Sequence, residues 1–250
     1  MEDKNEIIRV NNLNASFGER KVLSGVSFGI NEGEICVILG GSGSGKTTTL
    51  KYMLKLYRPP EGCIHIFGKD IATISEEEQT QLYLQMGVIY QNGALLNSLT
   101  VMDNIALLPQ QHSDLPDEVI REMVLMKLAL VNLRDAAYLY PSQLSGGMLK
   151  RAALARAIIM DPPMLFCDEP GSGLDPVSLA SLDLLFLNLK EKFGITIVLV
   201  THEVSTISRI ADKVVFLHEG RVIFEGGKKE AMQSDIPALK DFFSKGAGLS

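Results

Sequence analysis

The apolar positions of this chain change period along its length. At residues 7–13 and 26–30 they alternate with polar ones, and turn residues (Phe17-Gly18-Glu19-Arg20, then Gly25) separate the two runs. That spacing predicts an antiparallel pair of strands. Residues 35–39, 88–90, 164–168 and 196–200 are short, almost unbroken apolar runs, the pattern of strands buried on both faces. Between them the period lengthens. Residues 48–56, 75–85, 177–193 and a long tract from 101 to 140 read as helical, and Ile120, Met123, Val124, Lys127, Leu128 and Val131 fall on one helical stripe. Ser75 followed by Glu78 is a capping-box start. Arg58-Pro59-Pro60-Glu61-Gly62 and Pro141-Ser142-Gln143 are breaks, residues 63–67 form a strand, and a helix runs from Leu144 to Met160. Residues 214–217 and 222–225 make a hairpin about His218-Glu219-Gly220-Arg221, and helical segments near Lys229 and Leu239 follow. Strands alternating with helices give an α/β chain in which 101–140 is an inserted helical lobe.

At 250 residues and 46% hydrophobic content the chain suits one large α/β domain with a sizeable core. The net charge of −6 and 6% aromatics leave neither a general basic footprint nor a stacking platform, so nucleic acid is not an expected partner. Cys36, Cys63 and Cys167 lie far apart beside apolar runs without metal-ligand spacing, the pattern of reduced cysteines in a cytosolic core. The start, Met1-Glu2-Asp3-Lys4, is charged, and no apolar run approaches the ~18 residues of a membrane span, so neither a signal peptide nor a span is expected.

The densest chemistry is Gly40-Gly41-Ser42-Gly43-Ser44-Gly45-Lys46-Thr47, set between a buried-type strand and a helix. Glycines at 40, 43 and 45 let the backbone curl with its N–H groups inward, and the helix start adds partial positive charge, which suits a triphosphate. Lys46 then reaches the β- and γ-phosphates, Thr47 holds a magnesium ion, and Thr48 supports the same polyphosphate. A flexible Gly/Ser linker is the alternative, but linkers are not flanked in this way. Phe17 either stacks on a base or fills a core or turn position. Gln91, at the end of a strand, is either a sensor of magnesium or the attacking water, or ordinary turn chemistry. Ser145-Gly146-Gly147 opens a helix and forms a second anion site; Lys150, Arg151 and Arg156 further along are either part of that chemistry or a solvated face. Asp168 and Glu169 close an apolar strand, and alternation points them opposite ways. Asp168 is then free to hold magnesium and Glu169 to activate water. His202 follows another buried strand, within reach of a γ-phosphate. Met123 and Met126 are either core or a docking face.

Taken together, these motifs resemble those of the ATP-binding cassette (ABC) ATPases, from about Ile7 to Phe243. Gly40 to Thr47 resembles the Walker A loop, Gln91 the Q-loop, Leu144, Ser145, Gly146, Gly147 and Met148 the ABC signature, Phe166 to Glu169 the end of Walker B, Ser172, Gly173, Leu174 and Asp175 the D-loop, His202 the H-loop, and Phe17 the adenine-stacking aromatic. The resemblance implies a P-loop NTPase cassette: a RecA-like mixed-sheet core with an antiparallel β subdomain (1–90 and 160–250) and an α-helical subdomain at about 95–158. It implies ATP and Mg²⁺ as cofactors, with the ion on Thr47, Gln91 and Asp168, catalysis by Glu169, His202 and Gln91, and a homodimer in which each signature serves the other chain's ATP. It also implies a membrane permease docking on the helical lobe. Gln91-Asn92-Gly93-Ala94-Leu95, Met126-Lys127-Leu128 and Met148, where the family has Gln, resemble the Mla/Mce-type lipid-transport ATPases of bacterial envelopes. That narrower likeness implies phospholipid transport between inner and outer membranes, a Mla-type permease, an Mce-domain lipid-binding partner and a place on the cytoplasmic face of the inner membrane. Gly41 stands where many cassettes have Pro, and the chain ends at Ser250 without the tail of some Mla-type subunits. An ABC motor for another substrate is the alternative. A soluble ABC ATPase acting on nucleic acid or ribosomes is disfavoured by the lack of a heptad insertion, a second cassette and a basic face.

Overall fold

The computed structural model describes residues 5–247; the charged start at Met1–Lys4 and the chain end at Ser250 lie outside the described residues. In order the elements are β1 (Glu6–Phe17), β2 (Arg20–Asn31), β3 (Ile35–Leu39), α1 (Lys46–Met53), β4 (Ile64–Ile66), β5 (Lys69–Asp70), α2 (Glu76–Leu84), β6 (Met86–Ile89), α3 (Val101–His112), α4 (Asp117–Leu130) and α5 (Gly146–Ala157). Then come β7 (Met164–Asp168), α6 (Pro176–Phe193), β8 (Thr196–Val200), α7 (Val204–Ile210), β9 (Lys213–His218), β10 (Arg221–Gly227), α8 (Lys228–Met232) and α9 (Pro237–Ala247).

Among the described residues two sheets form, in strand orders β10-β9-β3-β8-β7-β6 and β2-β1-β4-β5. The first is mixed: β9, β3, β8, β7 and β6 run parallel and β10 turns back antiparallel. The second is antiparallel, with Val10 opposite Phe28 and Ile8 opposite Ile66. Every residue of β3 and β8 is buried, as expected of strands covered on both faces. Alternation along β3 divides the core. Ile35, Val37 and Leu39 join the cluster formed with α3 to α7, while Cys36 and Ile38 join the one that includes β1, β2 and α1. The antiparallel sheet with α1 and α2 therefore covers one face of the mixed sheet, and α3 to α7 cover the other. This is the α/β cassette architecture expected above.

Several boundaries differ from the pattern. The first helix begins at Lys46, directly after the glycine loop, and ends at Met53. The strand near residue 88 is Met86–Ile89 and excludes Tyr90, and α5 stops at Ala157 rather than Met160. The 101–140 tract is not helical throughout. Pro116 drives its predecessor out of helical geometry, so α3 ends at His112 and α4 starts afresh with Pro116 as its flanking residue (φ −59°, ψ 149°). Ser75 and Glu78 make the capping box foreseen, and Thr100 with Asp103 makes a second. Lys127 on the apolar stripe is buried and forms an ion pair with Asp161. Met123 packs against the core whereas Met126 is 59% exposed. Cys36 and Cys167 are buried and Cys63 is half-buried; all three are free thiols. No described helix is long and apolar enough to cross a membrane.

Candidate active site

The glycine loop leaves the carboxyl end of β3, a central strand, and enters α1. Gly40, Gly43 and Gly45 have φ of +150°, +76° and +105°, values an L side chain rarely adopts. Space is a second constraint. A Cβ on Gly40 would sit 2.1 Å from the Leu217 carbonyl oxygen, and one on Gly45 would sit 2.4 Å from Leu23 Cδ2, whereas one on Gly41 meets nothing within 4 Å. The turn between β9 and β10 frames the loop from behind, with the Gly220 N–H donating to the Ser44 carbonyl (3.2 Å) and the Ser24 N–H donating to the Gly220 carbonyl (2.8 Å). No side chain caps the start of α1, so its first N–H groups stay available to an anion. Lys46 Nζ donates to the carbonyls of Gly40 (2.8 Å) and Gly41 (3.1 Å). Burial pushes the Lys46 pKa down, and the carboxylates of Glu169 and Asp168 act against that.

Thr47 Oγ1 lies 3.4 Å from Asp168 Oδ1, at the end of β7. Burial, followed by the nearby Glu169 charge, raises the Asp168 pKa. Glu169 departs from the alternation argument. It has left the strand and takes left-handed backbone (φ +47°), with its N–H bound to the Val200 carbonyl (2.9 Å). Asp168 meets Thr47 while Glu169 meets His202, so the two carboxylates engage different partners. Glu169 Oε1 is 2.9 Å from His202 Nδ1, so the structure brings these two expected residues together. Gln91 Nε2 donates to Ser172 Oγ (3.3 Å), which ties the end of β6 to the 171–175 loop.

Phe17 is 46% exposed, so it is not a core residue; its ring meets Tyr57 edge-on at 5.4 Å. With Arg20, Val22, Gly43, Gly45, Lys46, Thr47 and Thr48 it lines a cavity of about 260 Å³. Ser145 is the N-cap of α5, its Oγ accepting from the Met148 N–H (3.3 Å). Positions 146 and 147 face Leu174 and Ser178 of the same chain, and none of 144–148 lines the cavity at the glycine loop. Asp175 caps α6 by accepting from the N–H groups of Val177 and Ser178, and the Ser178 hydroxyl, followed by these N–H groups, holds its carboxyl below the usual range. Sequence reasoning missed Arg20, although its place opposite Phe17 across the first hairpin was a usable signal. It also left open Lys150 and Arg156, which are no solvated face: Lys150 is 6% exposed, and both bond to backbone carbonyls.

The residues present fit a magnesium-bound nucleoside triphosphate. Ser44 Oγ and Glu169 Oε2 are buried without a partner, as donors or acceptors waiting on a ligand would be, and a hydroxyl beside a carboxylate is the hard oxygen set that Mg²⁺ takes. A glycine loop after a central parallel strand, with Thr47 against Asp168 and a Glu–His pair beside it, defines a P-loop nucleoside triphosphatase.

Within that class the chain belongs to the ABC transporter family, whose profile matches residues 23–172. It is 40% identical over 228 residues, 91% of this chain and 86% of the other, to the intermembrane phospholipid transport system ATP-binding protein MlaF of Haemophilus influenzae. It is 38% identical over 237 residues to the probable ribonucleotide transport ATP-binding protein mkl of Mycobacterium bovis, covering 95% of this chain and 66% of that longer one. The solved dimeric structure of the ATP-binding cassette MJ0796, in a post-hydrolysis state bound to ADP and Pi, aligns with a TM-score of 0.80 at 30% identity, covering 88% of this chain and 98% of that one. The chain is an ATP-binding subunit of an ABC transporter, an ATPase coupled to transport.

Proposed function

We propose that this subunit powers phospholipid transport between inner and outer membranes through a separate Mla-type permease, with Mg²⁺ and ATP at the site described. Glu169 carries the hydrolytic part of the reading. One carboxylate oxygen is engaged by His202 at 2.9 Å while the other is buried without a partner, free to take a proton from water. Thr47, Asp168 and Gln91 would hold the magnesium ion, which would neutralise charge on the polyphosphate. The loop N–H groups and Lys46 hold the polyphosphate, and Phe17 offers its exposed face to adenine. His202 keeps the Glu169 carboxylate oriented.

Leu144 to Met148 act in trans. Ser145 and its glycines form an anion-binding helix start that contributes nothing to the cavity beside the chain's own glycine loop. The proposed working form is therefore a homodimer closing on ATP, with the 172–175 loop alongside each signature. The domain division proposed is a core with β subdomain at 1–90 and 160–250 and a helical subdomain at about 95–158. The helical part exposes Leu96, Met126, Tyr138 and Tyr140, an apolar set suited to a permease helix at the cytoplasmic face of the inner membrane.

The lipid assignment is supported by the likeness to MlaF and by Met148; the likeness to mkl favours a second reading, transport of a different solute. A mild-detergent pull-down of the chain from its native membranes separates them. Recovery of a permease with an Mce-domain protein and phospholipid is expected. A permease with a conventional soluble binding protein and no lipid would retain the ATPase roles and discard the lipid.

A further inference from the structure

The helix that opens at the signature is fastened to the backbone that follows β6. Lys150 donates to the Gln91 carbonyl, and Arg156 donates through Nη1 to Ala94 (2.7 Å) and through Nη2 to Gly93 (3.0 Å). Gly93 and Ala94 take left-handed backbone (φ +73° and +50°), which is free for the glycine but is strain at Ala94 that persists where the surroundings fix it. A Cβ on Gly93 would lie 2.5 Å from Leu149 Cδ2, so this backbone is seated directly on α5. Among the described residues neither cation has a carboxylate within ion-pair distance. Both are committed to carbonyls instead. Charge-assisted bonds of this kind are roughly twice as strong as neutral ones, and of the three carbonyls that of Gly93 belongs to a buried residue, where a lost donor costs most.

The fastened residues carry chemistry at both ends. The Gln91 side chain reaches Ser172 Oγ, and α5 begins at Ser145, whose glycines face Leu174 and Ser178. We propose that Lys150 and Arg156 are positioning residues that join the Gln91 backbone to the signature helix, so that Gln91 and Ser145 move as one piece. A shift of α5 on engaging a second chain's nucleotide then displaces Gln91 in its own site. Burial lowers the Lys150 pKa, and the Glu169 carboxylate acts against that. The inference rests on the proposed roles of Gln91 and of the signature.

Two measurements on the full chain separate the fastening from those roles. In Lys150→Met, amide exchange at Gly93, whose N–H bonds to the Tyr90 carbonyl, should quicken about tenfold or more while the amides of β3 are unchanged. Steady-state ATPase should show kcat down about tenfold with KM within about twofold, and Lys150→Arg should restore it. On a Gln91→Ala background, Lys150→Met should add less than about twofold, because its effect passes through Gln91. Arg156→Lys, which keeps a charge but loses the fork, should fall between wild type and Lys150→Met. Unchanged exchange at Gly93 overturns the fastening. Faster exchange with undiminished kcat, or an equal loss of rate on both backgrounds, overturns the positioning role. If Gln91→Ala alone turns over normally, the Gln91 assignment fails, and the exchange result decides the fastening by itself.

Discussion

Glu169 shows how one backbone angle sets a site. Its left-handed φ of +47° turns the carboxylate off the strand and onto His202, in a conformation that a non-glycine residue adopts only at some cost. Glu169→Gln keeps the shape and removes the base. Turnover should fall by about 10²-fold or more, with ATP still bound and the protein held as an ATP-loaded dimer on a sizing column. Normal turnover would remove Glu169 from the chemistry. At this scale the sequence was informative where a residue's identity is forced by the backbone, as at Gly40 and Gly45, or by a helix start that needs a cap, as at Ser145. It pointed to separate partners for Asp168 and Glu169 but not to the left-handed backbone at Glu169, because strand alternation speaks only for residues within the strand. It was silent on the acceptors of Lys150 and Arg156, which lie 59 to 63 residues earlier and are met only on folding.

Among elements, α6 and α7 are joined by a buried carboxylate. Asp183 is 1% exposed and accepts from Thr206 Oγ1 (3.0 Å) and from the Arg209 guanidinium. Burial lifts its pKa from 3.8 to about 6, with Thr206 and Arg209 pulling the other way. The folded chain therefore binds this proton more tightly than the unfolded one, and the group's contribution to stability rises as pH falls through about 6 toward 4. Urea unfolding at pH 7.5 and 5 should show wild type gaining about 1 kcal/mol relative to Asp183→Asn on acidification. A relative loss would mean that the ion pair with Arg209 outweighs burial. Element types were readable from period, and starts from their caps, as with Ser75 and Glu78. The break between α3 and α4 was readable too, from Pro116, but the continuous apolar stripe on either side obscured it.

For the whole molecule, the fully apolar runs announced a buried sheet but not its order. β3 lies between β8 and β9, a placement decided by long-range packing that leaves no local mark on the sequence. The same architecture sets Ser145 apart from the cavity lined by Lys46 and Thr47. Ser145→Arg should therefore leave fluorescent-ATP affinity of a single chain within about twofold, while hydrolysis falls by about 10²-fold or more through loss of the second chain's contact. Loss of nucleotide binding by the isolated chain would overturn the assignment in trans.

The Gly220 turn that frames the glycine loop also sets a date in the life of the polypeptide. The loop emerges from the ribosome well before its strand partners β8 and β9 and the N–H that braces Ser44, which belong to segments translated much later. A nascent chain arrested before Lys213 carries the whole Walker-type loop with one flank of β3 bare, and ATP should not protect it from protease. Protection should appear only once Gly220 is free to reach Ser44, so that nucleotide stabilises chains that have passed this turn and leaves shorter ones exposed to quality control.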